Sequence, residues 1–380
     1  MRAAYLTYDD VQHGRSYQAG TRYYIGHYLR NHFDQVDFLG PLPGIQNSLR
    51  QRLTRKWYHW QGERYLPIRS LPVRRYFAEC ITERLKGRNY DVLFAPDTIS
   101  ISELDGDLPV VFYTDAVFDQ LVDYYPEFTH LCARSLKDGH EQEQAALRRA
   151  SLAVYSSAWT ADYVTSHFQV DVDNVHVIPF GANLEQEPQR IDPSQKSNSG
   201  PCRLFFLGKD WERKNGPLVL QITEILRRQG LDCTLAVCSL VPDAQLPVPG
   251  VEFMGLLDRR QASERAKLDQ LFRESHYLVL PTRADCTPGA FREAAAYGLP
   301  VITSLSGGNA SVVQQNESGL LLPQEAGAEE YAKAIHQNYS DRSAYMKLCQ
   351  GARLKYETEL NWQTAIARLT QLAEKAIKKT

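Results

Sequence analysis

The sequence lacks several features, and each absence narrows its class. No two of the seven cysteines have Cys-x-x-Cys spacing, and their number is odd. Neither a zinc site nor a disulfide framework is therefore indicated. Cys202, Cys233 and Cys238 lie in or beside apolar runs and read as buried thiols in a reducing compartment. No apolar run approaches the ~20 residues that a spanning helix needs. Met1 to Asp10 has no apolar core of the kind a signal peptide carries. Lys and Arg total 43 against 45 for Asp and Glu, so bulk charge does not favour a nucleic-acid partner. No Gly-x-Gly-x-x-Gly is present, which argues against a nicotinamide-dependent dehydrogenase. There are no internal repeats and no low-complexity tract. These readings place the chain in the cytoplasm.

What is present is a foldable composition. Hydrophobic residues make up 43% and charged residues 23% of 380 residues, enough for two domains of roughly 150–200 residues each. Short β-rich apolar runs alternate with longer helical runs. In the first half the strands are expected at Ala3–Thr7, Val36–Leu39, Val92–Ala95, Val110–Tyr113, Leu152–Ser156 and Val175–Ile178. Helices are expected at Thr21–Phe33, Val73–Leu85, Glu141–Arg149 and Ala158–Phe168. Strands this short, and apolar on both faces, suit a parallel sheet covered by helices on both sides. The alternation indicates an α/β doubly wound domain.

From Leu184 to Pro201 the chain turns polar and proline-rich, a linker composition. The α/β pattern then restarts. Strands are expected at Arg203–Leu207, Cys233–Cys238, Tyr277–Leu280 and Val301–Thr303. Helices are expected at Gly216–Gln229, Ala262–Glu274 and Pro288–Tyr297. The expected organisation is a first Rossmann-like domain over 1–185, a linker over 186–201 and a second domain over 202–360. The last helix, within 361–380, either ends the second domain or crosses back to the first.

The segment Arg283 to Pro300 carries the most chemistry. Thr287 followed by Pro288 reads as an N-cap and first helical residue. Gly298 supplies a left-handed helix end, and Pro300 prevents the helix from resuming. The loop before Thr287 thus lies at the carboxyl end of a strand and at a helix N-terminus, where phosphate is attracted in open α/β sheets. Gly289 would let a ligand approach the backbone closely. Glu293 is near enough to bond ribose hydroxyls, and Asp285 sits where a carboxylate could bind sugar hydroxyls.

This segment resembles the Glu-x7-Glu signature of retaining GT-B glycosyltransferases, in particular glycosyl-transferase group 1 (family 4). Glu293 matches the second acid and is followed by Ala294, Ala296, Gly298, Pro300, Val301 and Ile302 of the same pattern. Asp285 stands where the family has its first Glu. The resemblance implies two Rossmann-like domains facing a central cleft. It also implies that Glu293 binds the ribose, that Asp285 contacts the transferred sugar, and that Thr287, Pro288, Gly289 and Ala290 form the donor-facing helix start.

Gly208-Lys209-Asp-Trp-Glu-Arg213-Lys214 resembles the family's Gly-Arg-x4-Lys element, whose cations bind the donor diphosphate. Lys209 takes the place of the Arg and Lys214 that of the Lys, with Arg213 as a further cation. Gly307 and Gly308 resemble the Gly-Gly turn whose amides approach the donor. In the first half Gln18-Ala19-Gly20-Thr21 looks like the glycine-rich loop beside the transferred sugar. Asp115 ends a strand and either orients the acceptor hydroxyl or caps a helix. Val175 to Asn183 resembles the run that precedes the family's linker.

The resemblance implies a hexosyltransferase with a nucleotide-diphosphate sugar as co-substrate, no other cofactor and no metal, since this fold typically needs none. The acceptor would be a glycan, a lipid-linked group or a small-molecule hydroxyl. A non-catalytic nucleotide-sugar-binding protein and a nucleotide-sugar epimerase on the same fold are the alternatives. The stretch Arg50 to Arg75 is basic and interleaved with Trp57, Tyr58, Trp60 and Tyr65. It reads either as a surface for an anionic membrane face or glycan, or as a solvated helix face whose Arg stems cover a core.

Overall fold

The computed structural model describes residues 1–8, 10–11, 20–44, 49–192, 200–242 and 248–378, without the side chains of Leu49 and Arg50. Gln18, Ala19 and the middle of the expected linker lie outside them. The chain divides into two compact units, Met1–Pro179 with Trp362–Thr380, and Phe180–Asn361.

The first unit runs β1 (Arg2–Tyr5), α1 (Gly20–Leu29), β2 (Gln35–Phe38), α2 (Leu49–Trp60), α3 (Leu71–Leu85), β3 (Val92–Ala95) and β4 (Val110–Thr114). It continues through α4 (Phe118–Leu121), α5 (Ala133–Arg149), β5 (Leu152–Tyr155), α6 (Ala158–His167) and β6 (Val175–Val177). Its strands form one parallel sheet in the order β2-β1-β3-β4-β5-β6. β3 and β5 are buried along their whole length. This accounts for their apolar character at every position, because helices cover both faces of a parallel sheet.

The second unit runs β7 (Cys202–Asp210), α7 (Gly216–Arg228), β8 (Cys233–Leu240), β9 (Val251–Phe253), α8 (Ala262–Glu274), β10 (Tyr277–Leu280) and α9 (Gly289–Ala296). β11 (Val301–Ser304), α10 (Asn309–Val312), β12 (Gly319–Leu322), α11 (Ala328–Ser340) and α12 (Arg342–Thr358) complete it. Its parallel sheet has the order β12-β11-β10-β7-β8-β9. The order reverses direction at β7, so the crevice beyond the carboxyl ends of β7 and β10 is the topological switch point at which open α/β sheets bind ligands.

The sequence reading is silent on β9, β12, α11 and α12. β9 and β12 are only three and four residues long, and neither is uniformly buried. Ala182 N–H donates to the Leu360 carbonyl at 2.8 Å, and the Arg353 guanidinium reaches Glu187 at 2.7 Å and the Pro188 carbonyl at 3.2 Å. These bonds attach residues 180–188 to the second unit, ahead of the boundary expected at 185. The final helix, α13 (Trp362–Ile377), belongs to the first unit, where Trp362 stacks on Tyr24 of α1 with ring centroids 6.3 Å apart. Cys202, Cys233 and Cys238 are buried free thiols, as their apolar neighbours suggest, and burial pushes the Cys238 thiol up to about 12.

The first unit contains a buried ion pair. Arg69 lies just before α3, with its guanidinium 3.0 Å from Glu143 of α5 and 4.4 Å from the centroid of the Phe118 ring. Glu143 also accepts the Phe118 N–H at 3.0 Å. Burial pushes the Glu143 carboxyl up and the Arg69 guanidinium down, each partner pulling the other back. Removing one member leaves the other charged and unpaired in the interior. Glu143→Ala is therefore expected to lower the stability of the first unit by about 3–5 kcal/mol in urea unfolding. A change below about 1 kcal/mol contradicts this account of the pair.

Candidate donor-binding site at the switch point of the second unit

The site is assembled from two loops that leave neighbouring strands. β7 runs on past its apolar core as far as Asp210, and its register against β8 shifts between Leu207 and Asp210. Gly208 and Lys209 are the residues that bulge there. A bulge re-aims the side chains beside it, and Lys209 projects into solvent. A tight turn follows. Asp210 accepts from the Arg213 N–H through its carboxylate at 3.1 Å and from the Lys214 N–H through its carbonyl at 3.0 Å. Asn215 adopts φ 62° at the N-cap of α7.

The turn sends two cations across to the loop after β10. The Lys214 ammonium is buried and ion-paired to the Asp285 carboxylate. The Arg213 guanidinium donates to the Ala284 carbonyl at 2.7 Å and lies 3.8 Å from the same Asp285 carboxylate. The backbone closes the junction, because Arg283 N–H donates to the Arg213 carbonyl at 2.9 Å. Gly208 makes room for this path. A Cβ on Gly208 would lie 2.8 Å from Lys214 Cγ.

α9 begins at Gly289, with Pro288 as its N-cap in extended conformation and no side-chain cap. Thr287 is thus not the N-cap expected from the sequence. Pro288 holds the position before the helix, and Gly289 is the first helical residue. The far end of α9 is as expected: Gly298 has φ 57°. The Arg353 guanidinium also donates to the Ala296 carbonyl at 2.5 Å, satisfying a free carbonyl at the negative end of the helix.

Glu293 is buried within α9 and is gripped by Arg259, whose two terminal nitrogens lie 2.8 and 2.5 Å from its two oxygens. No sequence pattern marks Arg259. It comes from the polar loop before α8, and its neighbour Arg260 is an equally plausible candidate until the fold shows that Asp258 takes it. Arg260 pairs with Asp258 at 2.6 Å and holds that half-buried carboxyl down at about 2. Gly307 has φ 50°, and the Gly308 N–H donates to the Asp285 carbonyl at 3.1 Å. The Gly-Gly turn therefore braces the backbone of the Asp285 loop.

The structure thus brings Gly208, Arg213, Lys214, Asp285, Thr287, Pro288, Gly289, Ala290, Glu293, Gly307 and Gly308 onto one end of one sheet, with Lys209 outermost. Gly20, Thr21 and Asp115 belong to the first unit. Gly20 and Thr21 open α1. Asp115 follows β4, and its carbonyl accepts the Thr160 hydroxyl at 2.8 Å. The N-cap of α4 is Val117, so Asp115 does not serve that helix as a cap. Among the described residues no cluster of His, Cys, Asp and Glu could hold a metal ion.

The architecture of two Rossmann-like units is that of GT-B glycosyltransferases. Residues 201–341 match the family model of Glycosyl transferases group 1, and that segment of the second unit is a domain of this group. D-inositol 3-phosphate glycosyltransferase of Paenarthrobacter aurescens is 24% identical over 213 residues, covering 53% of this chain and 52% of that enzyme. The chain spans about half the length of the curated relatives it matches. Sucrose-phosphate synthase of Thermosynechococcus elongatus superposes with a TM-score of 0.70 at 16% identity, over 100% of both chains. Anabaena HepE, solved in complex with UDP-glucose, superposes with a TM-score of 0.62 at 14% identity, also over 100% of both chains.

Two glycines separate structural from local roles. Trp211 is buried, and a Cβ on Gly216 would lie 2.2 Å from its ring, which has nowhere to go. Gly216→Ala is expected to cost about 1–3 kcal/mol as overpacking. Gly208→Ala meets the base of the ion-paired Lys214 side chain at 2.8 Å, softer than an indole, and should lower the melting temperature by less than Gly216→Ala does. Equal losses in thermal melts would show that the Lys214 path is as rigid as the indole.

Proposed function

We propose that this chain is a retaining glycosyltransferase that moves a hexose-type sugar from a nucleotide-sugar donor to a hydroxyl of a glycan, a lipid or a small molecule. The observation that carries the reading is the junction at the switch point, where Arg213 and Lys214 converge on Asp285 beside the N-terminus of α9. A nucleoside diphosphate needs such a cluster of cations and amides. HepE in complex with UDP-glucose, on the same fold, supports a nucleotide sugar as the ligand.

Each group has a role in this reading. The donor diphosphate lies against Lys214, Arg213 and the start of α9 at Thr287, Pro288, Gly289 and Ala290, with Lys209 at the outer edge. Glu293 accepts the ribose hydroxyls. A carboxylate offers about four lone-pair sites, so Glu293 keeps its two bonds from Arg259 and still has capacity for the sugar. Arg259 thereby fixes the carboxylate in one orientation before the ligand arrives. Asp285 accepts hydroxyls of the transferred hexose while its charge holds Lys214 in place. We assign acceptor recognition to Asp115 of the first unit, and the glycine-rich loop at Gly20 and Thr21 to the transferred sugar.

The bond from the anomeric carbon to the diphosphate oxygen breaks, and negative charge grows on the leaving phosphate. Lys214, Arg213 and the α9 dipole are aimed at that charge before it develops, which is the economical form of electrostatic catalysis. The acceptor oxygen forms its bond on the same face of the sugar, and its proton passes to the departing phosphate oxygen. Because side chains neutralise the diphosphate in this scheme, turnover is expected to persist in excess EDTA.

Glu293→Ala should raise the donor dissociation constant roughly tenfold or more in calorimetry, the loss of one or two hydrogen bonds to a charged group. Unchanged binding would move the ribose elsewhere. Lys214→Ala should lower kcat by about 10²-fold or more with a smaller effect on KM. A parent-like kcat removes Lys214 from the reaction. The anomeric configuration of the product, read by NMR, tests retention, and turnover in the absence of any acceptor hydroxyl would point to an epimerase.

A further inference from the structure

Helix α2 presents a face that the proposed transfer reaction does not use. Its sequence, Leu49-Arg-Gln-Arg-Leu-Thr-Arg-Lys-Trp-Tyr-His-Trp60, contains no carboxylate. Leu53, Trp57 and Trp60 are spaced i, i+4, i+7, which places them on one stripe of a helix. They are 59%, 53% and 84% exposed. The helix is fastened by its other side, where Tyr58 stacks on the buried Tyr65 with ring centroids 5.8 Å apart. Burying the apolar stripe in the protein is therefore not what its spacing achieves, since the anchored side turns it outward. Trp57 packs edge-on against Tyr58 at 4.7 Å, so its indole has a defined outward position. Arg52 and Lys56 flank the stripe on one side and are exposed, whereas the exposed Arg55 lies on the opposite side of the helix. No helix among the described residues is long and apolar enough to cross a membrane.

We infer that this face of α2 docks on an anionic lipid bilayer, with Leu53, Trp57 and Trp60 entering the headgroup–acyl boundary and Arg52 and Lys56 meeting lipid phosphates. Two physical terms coincide in one short helix. Indole rings favour the interface, where one edge is apolar and the other wet. Each cation near an anionic surface adds attraction that falls off within a Debye length. Single-stranded nucleic acid also takes cations beside aromatic rings, but stacking on bases has no use for Leu53 in the same stripe, whereas a bilayer interface buries all three apolar side chains together. The solvated-face reading of this stretch accounts for the cations but leaves two large indoles in water.

The test uses the full chain and vesicles of phosphatidylcholine, either pure or with about a third phosphatidylglycerol. Flotation at low salt should bring the protein up with the anionic vesicles and leave it behind with the pure phosphatidylcholine ones. Trp57 and Trp60 are the exposed tryptophans of the five in the chain, so brominated lipid should quench part of the emission. Trp57→Ala with Trp60→Ala should weaken binding roughly tenfold, and Arg52→Glu with Lys56→Glu at least fivefold for each cation removed. These residues are exposed, so both variants should melt like the parent. If either variant misfolds, the salt and lipid dependence of the parent still decides: binding should fall steeply between 0.01 and 0.5 M salt, as the Debye length shrinks from ~30 Å to ~4 Å. Absence of binding to anionic vesicles, equal binding to both vesicle types, or binding untouched by either variant would overturn the proposal. So would a lipid-free dimer abolished by the tryptophan substitutions, which would make a second copy the occupant.

Discussion

The second unit depends on a crossing of two loops at the point where its strand order reverses. Parallel β7 and β10 are neighbours in the sheet but distant in sequence, and they deliver their following loops to the same end. Asp285 must be close to Lys214 and Arg213 for either loop to hold its shape. A buried ammonium without a counter-charge is costly, and so is a buried carboxylate. Each supplies the compensation for the other, and the Arg213 guanidinium adds a bond to the neighbouring carbonyl. The bulge at Gly208, the left-handed Asn215 and the Gly307–Gly308 turn all serve this crossing, by leaving space or by bracing the backbone.

A second pair fixes the other half of the site on the same logic. Arg259 and Glu293 meet through both nitrogens and both oxygens, a geometry that an ammonium cannot supply. The helix that carries Glu293 is closed at its far end by Arg353, so the carboxylate stands on a short helix whose C-terminus is tied to α12 and to residues 187–188. The contacts of Asp285 with Lys214 and Arg213, and of Glu293 with Arg259, hold two carboxylates and three cations in place without a ligand. Such preorganisation is what electrostatic stabilisation of a leaving diphosphate requires.

Much of this was legible in the residues, and what was not has identifiable causes. The central strands β3, β4, β5, β10 and β11 were readable because burial on both faces leaves them uniformly apolar. The Gly298 helix end was readable because helix termini write local signals, and Glu293 was marked out by the resemblance of the segment around it. The N-cap was misread at Thr287: the Thr-Pro pair fits a cap, but the chain stays extended through Pro288 and turns helical only at Gly289. Arg259 was invisible because a cation gains meaning from its partner 34 residues away, and nothing in the loop distinguishes it from Arg260. The pairing of Arg69 with Glu143 was hidden for the same reason, across 74 residues. In α2 the composition was readable but the direction it faces was not. The Tyr58–Tyr65 contact and the exposure of Leu53, Trp57 and Trp60 show which side of that helix is left in water.

In the proposed function the crossing of the β7 and β10 loops receives a nucleoside diphosphate sugar. Titration calorimetry against UDP, GDP and ADP and their common hexose conjugates measures this most directly, with Asp285→Asn alongside the parent. The account predicts that one nucleotide family binds the parent, and that Asp285→Asn weakens the hexose conjugate more than the bare diphosphate, because Asp285 is assigned to the sugar. If no nucleotide binds the parent, or if the two ligands weaken equally, the assignment of this site is contradicted.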